Sequence, residues 1–173
     1  MPTETKPVHS RIIIAAVDDD DDDIDLLRVM FRKASISNPF HVYRRAEDLM
    51  AMLSGVVSHP IEVLLPLICF LDVKMPGITG HDLLQWIRAE PVLNAVPVVM
   101  LSSSADPSDI SRARELGAQC YLAKFPQPEV LTMTLDAAIC HAKGGTGCFD
   151  FAGNLLFSPA ATNPGVHITE IAS

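Results

Sequence analysis

Short apolar, β-branched runs alternate along this chain with stretches in which apolar residues recur every three or four positions. The runs Arg11–Val17, Phe40–Arg44, Leu67–Leu71, Pro97–Leu101 and Cys120–Leu122 read as strands. The stretches between them, beginning near Asp23, Ala46, Thr79 and Pro107, and a last one at Pro128–His141, read as helices. In the first of these, Leu26, Leu27, Met30, Phe31 and Ala34 form one apolar face, while Asp25, Arg28, Arg32 and Lys33 point outward. Apolar strands joined by helices are the mark of a parallel sheet covered on both faces. Five strands in strict alternation with five helices, and no internal repeat, predict one α/β domain built on a small doubly wound parallel sheet.

From about Lys143 the pattern stops, and a segment rich in glycine, proline and small polar residues follows the Gly144-Gly145 joint. The expected organisation is therefore an N-terminal arm over 1–10, a domain over 11–142 and a tail over 143–173 that is too short for a second core. No output domain is expected. The tail still carries an apolar cluster, Phe149, Phe151, Leu155, Leu156 and Phe157, and a weakly alternating stretch from Val166 to Ile171. It is expected to fold back on its own domain or to reach across a homodimer.

Composition changes this picture little. With 49% apolar and 20% charged residues in 173, the chain is globular rather than disordered. Six units of its formal net charge of −8 belong to Asp18–Asp23, so the acidity is a local feature and offers nothing to nucleic acid. The N-terminal MPTETKPVHSR has no apolar core of a leader, and the longest apolar run, Val63–Leu71, is too short for a membrane span and contains a proline. A cytoplasmic protein is expected, with no membrane or nucleic-acid partner. Cys69, Cys120, Cys140 and Cys148 show neither CxxC nor metal-ligand spacing and read as free thiols, and the six histidines are scattered without ligand spacing.

The aspartate run sits at the carboxyl end of the first strand, where open α/β sheets place their ligand sites. Other strand ends are polar as well: Asp72 ends the third, Ser102–Ser104 end the fourth, and Lys124 follows the fifth. Carboxylates crowded together raise one another's pKa unless a cation offsets them. Mg²⁺ takes oxygen ligands together with a substrate phosphate, so Asp18, Asp19 and Asp72 suit it, with a lysine and a hydroxyl completing a phosphate clamp. Asp20–Asp23 read instead as the acidic start of the first helix.

Four segments in order, VDDDDDDIDLL, FLDVKMPGITG, PVVMLSSSA and GAQCYLAKFPQP, resemble the signatures of the receiver domain of two-component response regulators over roughly Arg11 to Ala142. The resemblance implies a flavodoxin-like (βα)5 fold with strand order 2-1-3-4-5. It implies that Asp72 accepts a phosphoryl group from the phosphohistidine of a sensor histidine kinase or phosphotransfer protein. Asp18, Asp19, Asp72 and the backbone carbonyl of Lys74 would hold Mg²⁺, Ser102 and Lys124 would contact phosphoryl oxygens, and Tyr121 would be an aromatic switch moving inward for a downstream protein not identified by the sequence. Such a protein signals by relay or docking and is not a turnover enzyme, although it can assist its own phosphotransfer and dephosphorylation.

Three alternative readings fit these residues less well. An EF-hand loop starting at Asp18 fails, because its sixth position is Asp23 and its twelfth Val29. A haloacid-dehalogenase-type phosphatase expects a second aspartate where Lys74 stands. A degenerate receiver acting only as a binding module would lack some of the five site positions, and all are occupied here. One departure from the family pattern stands out: Lys124-Phe125-Pro126 replaces the usual Lys-Pro. The family's cis bond would cost about 3 kcal/mol before a non-proline residue. The expectation is a trans bond, a less rigidly aimed Lys124, and slower phosphorylation than in a Phe125→Pro variant.

Overall fold

The computed structural model describes residues 12–58, 67–142 and 144–145. Five strands and five helices alternate: β1 (Ile13–Val17), α1 (Asp21–Lys33), β2 (Phe40–Tyr43), α2 (Ala46–Ser58), β3 (Leu67–Asp72), α3 (Gly80–Ala89), β4 (Val98–Ser102), α4 (Pro107–Glu115), β5 (Cys120–Ala123) and α5 (Pro128–Ala142). The strands form one parallel sheet in the order β2-β1-β3-β4-β5, the flavodoxin-like arrangement expected from the resemblance. The N-terminal arm and the apolar stretches of the tail lie outside the described residues.

Period-two alternation along each strand feeds two separate cores. Ala15, Val17, Cys69, Leu71, Val98 and Met100 face α2 and α3, where Leu49, Leu53, Leu83, Leu84 and Ile87 are buried. Ile14, Ala16, Ile68, Phe70, Val99 and Leu101 face the other way, onto Leu27 and Phe31 of α1 and Leu131 and Leu135 of α5. Phe31 anchors that second layer by packing edge-on to Phe70, ring centroids 5.5 Å apart, and against Phe40 at 5.1 Å. Burial on both faces explains why β1, β3, β4 and β5 read as continuous apolar runs, whereas the edge strand β2 is only partly buried.

Helix starts follow capping chemistry. Asp20 caps α1 by accepting from the N–H groups of Asp22 and Asp23, so the helix begins two residues before the position suggested by its apolar stripe. Thr79 and Asp82 form a reciprocal capping box at α3, and Asp106 caps α4 ahead of Pro107. Gly80, the first residue of α3, lies so close to the third strand that a Cβ there would fall 2.2 Å from the backbone oxygen of Asp72. Only glycine lets α3 start against that strand end. Cys69 and Cys120 are free and buried as expected, whereas Cys140 is disulfide-bonded, contrary to the expectation of free thiols throughout.

The amino edge of the sheet, opposite the aspartates, is closed by Arg88 of α3. Its guanidinium donates to the carbonyls of Gly117, Asn94 and Val96 and to Oε1 of Gln119, which also accepts from the Val98 N–H at 2.7 Å. Burial pulls this guanidinium below its usual pKa, and the neutral acceptors hold it by geometry. Replacing Arg88 by Met should therefore cost about 3 kcal/mol in urea unfolding, because buried carbonyls are left without donors. Arg88→Lys, which keeps the charge but not the planar fork, should recover little of it; full recovery would refute the role of the fork.

Candidate functional site

Strand register builds the site. Val17 pairs with Leu71, so Asp18 and Asp72 emerge side by side at the carboxyl edge. Asp72 pairs with Leu101, placing Ser102 next, and Ser102 pairs with Ala123, which brings Lys124 to the same edge. Backbone bonds tie these ends together: Val73 N–H donates to Leu101 at 2.9 Å and Lys124 N–H to Ser102 at 2.8 Å. Asp18, Asp72, Ser102 and Tyr121 are all buried, Asp72 at 3% exposure, while Asp19 is exposed.

Three carboxylates surround the Lys124 ammonium, whose side chain is only 10% exposed: Asp23 Oδ2 at 2.5 Å, Asp18 Oδ2 at 2.9 Å and Asp72 Oδ1 at 3.3 Å. The expectation of a loosely aimed lysine is not met. Phe125, which follows it, has φ 63°, in the left-handed region. Proline cannot enter that region, so the Phe125→Pro variant would require a different loop rather than a stiffer version of this one. The sequence places Asp23 in the acidic start of the first helix, and the structure turns it inward onto Lys124. A signal for its inward position was available: it lies four residues before Leu27, on the stripe of α1 that faces the sheet. The remaining aspartates divide other tasks: Asp20 caps, and Asp21 pairs with Arg44 beyond β2 at 2.6 Å.

Burial raises Asp72 to about 6, with the Lys124 charge opposing and the Asp18 charge adding to the rise, and the Lys74 N–H stabilising the anion. Asp18 is also raised by burial, against a backbone N–H from Asp20 and the Lys124 ammonium. Burial pulls Lys124 down, but hydrogen bonds to Asp23 and Asp18 and the Asp72 charge outweigh it and hold the ammonium above its usual range. Both inner aspartates thus respond more to desolvation than to their lysine.

Oxygens from Asp18, Asp19 and Asp72 lie within 4.8 Å of one another, the grouping among the described residues able to converge on one ion. A purely carboxylate set, with Asp18 and Asp72 both raised by burial, fits a hard divalent cation such as Mg²⁺. On the other side, the Ser102 hydroxyl accepts from the Ser104 N–H at 3.0 Å, and the Tyr121 hydroxyl donates to the Ser104 carbonyl at 3.1 Å. Tyr121 is thus already turned inward, and its hydroxyl also interacts with Ser102. His81, buried with Nε2 3.0 Å from the Asp109 carbonyl, is a structural contact.

The raised Asp72 has a sign that can be measured. Between the usual 3.8 and about 6 the folded chain holds a proton that the unfolded chain releases, so this contribution to stability is full below pH 3.8 and lost as pH rises through 6. In chelator, Asp72→Asn should melt about 5 °C above the wild type at neutral pH, and the gap should close as pH falls from 6 to 4. A gap independent of pH in thermal melts would contradict the burial account.

Comparison with known proteins agrees with this geometry. The family model for the response regulator receiver domain matches residues 14–136. The chain is 27% identical over 116 residues to the two-component response regulator ORR1 of Oryza sativa, covering 64% of this chain and 48% of that one, so it spans about half the length of that relative. It is 28% identical over 112 residues to the response regulator Rcp1 of Synechocystis, covering 65% and 76% of the two chains. The solved Mn(2+)-bound form of Rcp1 aligns with a TM-score of 0.55 at 25% identity, over 72% of this chain and 88% of that one. The bacteriophytochrome response regulator AtBRR aligns with a TM-score of 0.58 at 26% identity, over 77% and 92%. With five parallel strands in this order and a family match over most of its length, the chain belongs to the response regulator receiver domain family.

Proposed function

We propose that this chain is a response regulator in which Asp72 accepts a phosphoryl group from the phosphohistidine of a sensor kinase or phosphotransfer protein. The observation that carries the reading is the meeting of a buried Asp72 with Asp18, Asp19, Lys124 and Ser102 at one edge of the sheet. Among the described residues no helix is long and apolar enough to cross a membrane, which is compatible with a cytoplasmic donor. The receiver unit is proposed to span 11–142.

At neutral pH Asp72, with a pKa of about 6, is mainly ionised, so one oxygen is available as nucleophile. It attacks phosphorus, the bond from phosphorus to the histidine nitrogen breaks, and the electron pair leaves with the imidazole. Asp18, Asp19, Asp72 and the Lys74 carbonyl would hold Mg²⁺, which when bound would supply positive charge against the phosphoryl oxygens. Lys124 gives its ammonium to one phosphoryl oxygen, and Ser102 turns its hydroxyl from the Ser104 N–H toward another. Because Tyr121 is bonded to the Ser104 carbonyl and touches Ser102, that turn loosens or shifts the loop after β4. A signal read by a downstream protein from that face needs no substrate turnover.

The reading predicts that acetyl phosphate with Mg²⁺ adds one phosphoryl group to the peptide containing Asp72, seen by mass spectrometry, and adds none in Asp72→Asn. Mg²⁺ should also raise the melting temperature of the wild type through binding to the native state only, and leave Asp19→Ala nearly unmoved. Phosphorylation of an undiminished kind in Asp72→Asn would refute the assignment of the acceptor, and an equal response of Asp19→Ala to Mg²⁺ would refute the metal site.

A further inference from the structure

We propose that Asp23 is a positioning residue for Lys124, a tether that holds the ammonium at the carboxyl edge while the other carboxylates are engaged in binding and chemistry. The geometry stands by itself; the consequence for phosphotransfer rests on the reading of Asp72 as acceptor. An ammonium has three N–H donors. Here they meet three carboxylates, and the shortest contact, 2.5 Å, goes to Asp23 rather than to either strand-end aspartate.

Asp23 differs from the other two partners in what else it can do. Asp18 and Asp72 belong, with Asp19, to the group whose oxygens can converge on one cation; Asp23 does not. A cation at that group, or a phosphoryl group on Asp72, therefore draws away two of the lysine's three partners and leaves Asp23. The residue is well placed to remain: its N–H faces the Asp20 cap at 3.4 Å, and one turn later Leu27 is buried against the sheet.

The lysine needs such a tether. Its four-carbon stem is flexible, and the residue that follows it, Phe125, runs in the left-handed region before Pro126. Asp23 contributes from α1, across 101 residues of sequence, an aiming contact that does not depend on the backbone around Lys124. Asp22, its exposed neighbour with the same charge, provides a matched control for loss of a negative charge at this helix start.

The experiment uses the full chain and the variants Asp23→Asn, Asp23→Glu and Asp22→Asn, each checked for an unchanged fold by circular dichroism. In the first arm, acylation of Lys124 by an amine-reactive ester in the presence of Mg²⁺ is followed by peptide mass spectrometry, with the exposed Lys33 as internal reference. Labelling of Lys124 should rise about tenfold in Asp23→Asn, stay at the wild-type level in Asp22→Asn, and return most of the way in Asp23→Glu, as for a residue that orients a site group. In the second arm, phosphorylation by acetyl phosphate should slow about tenfold in Asp23→Asn only. Equal labelling of Lys124 in Asp23→Asn and the wild type overturns the tether, and greater labelling with an unchanged phosphorylation rate overturns its part in phosphotransfer. If the wild type itself takes no phosphoryl group, the acceptor reading falls while the labelling arm still decides the tether.

Discussion

The Lys124 ammonium lies 2.9, 2.5 and 3.3 Å from Asp18, Asp23 and Asp72, and the rest of the carboxyl edge is arranged around the negative charge that this lysine leaves unbalanced. Charges taken out of water are expensive unless they are paired and hydrogen-bonded. The edge meets that demand only in part. The Asp20 N–H helps Asp18, the Lys74 N–H helps Asp72, and burial still wins at both carboxyls, raising their pKa values. A site folded in this condition favours an added cation, and the oxygens of Asp18, Asp19 and Asp72 are close enough to share one.

Sheet topology is what makes such crowding possible. In a parallel sheet every strand ends on the same edge, and the order β2-β1-β3-β4-β5 sets β1 beside β3 and β4 beside β5. Two cores, one on each face, hold the strands in register, so the side chains just past Val17, Leu71, Leu101 and Ala123 have little freedom in where they emerge. Gly80 adds a steric condition by letting α3 start against the backbone of Asp72. The opposite edge is closed by the Arg88 guanidinium on neutral acceptors, while the buried carboxylates gather at the carboxyl edge.

The six consecutive aspartates show how one residue type acquires different roles from backbone geometry alone. Asp18 ends a buried strand, Asp19 faces solvent at the same rim, and Asp20 caps α1. Asp21 points to Arg44 beyond β2, Asp22 is exposed, and Asp23 turns back toward Lys124. A strand carries successive side chains to opposite faces, a helix carries them round at about 100° per residue, and the cap between the two switches one rule for the other.

Much of this was legible in the chain itself. Period-two and period-3.6 patterns are local, so the strands and helices could be read with errors of a few residues; the largest shift at a helix start, at α1, came from the cap at Asp20 overriding the apolar stripe. The polar residues that end the strands marked the carboxyl edge for the same reason, since a parallel sheet must bring those ends together. What the local pattern could not decide was which groups touch. The pairing of Asp23 with Lys124 spans 101 residues, the inward setting of Tyr121 depends on a carbonyl in the loop after β4, and the Arg88 fork needs acceptors from two loops before β4 and β5. Those contacts exist only once the register of five strands is set, because burial and charge at a site are properties of its neighbours in space and not of its neighbours in sequence.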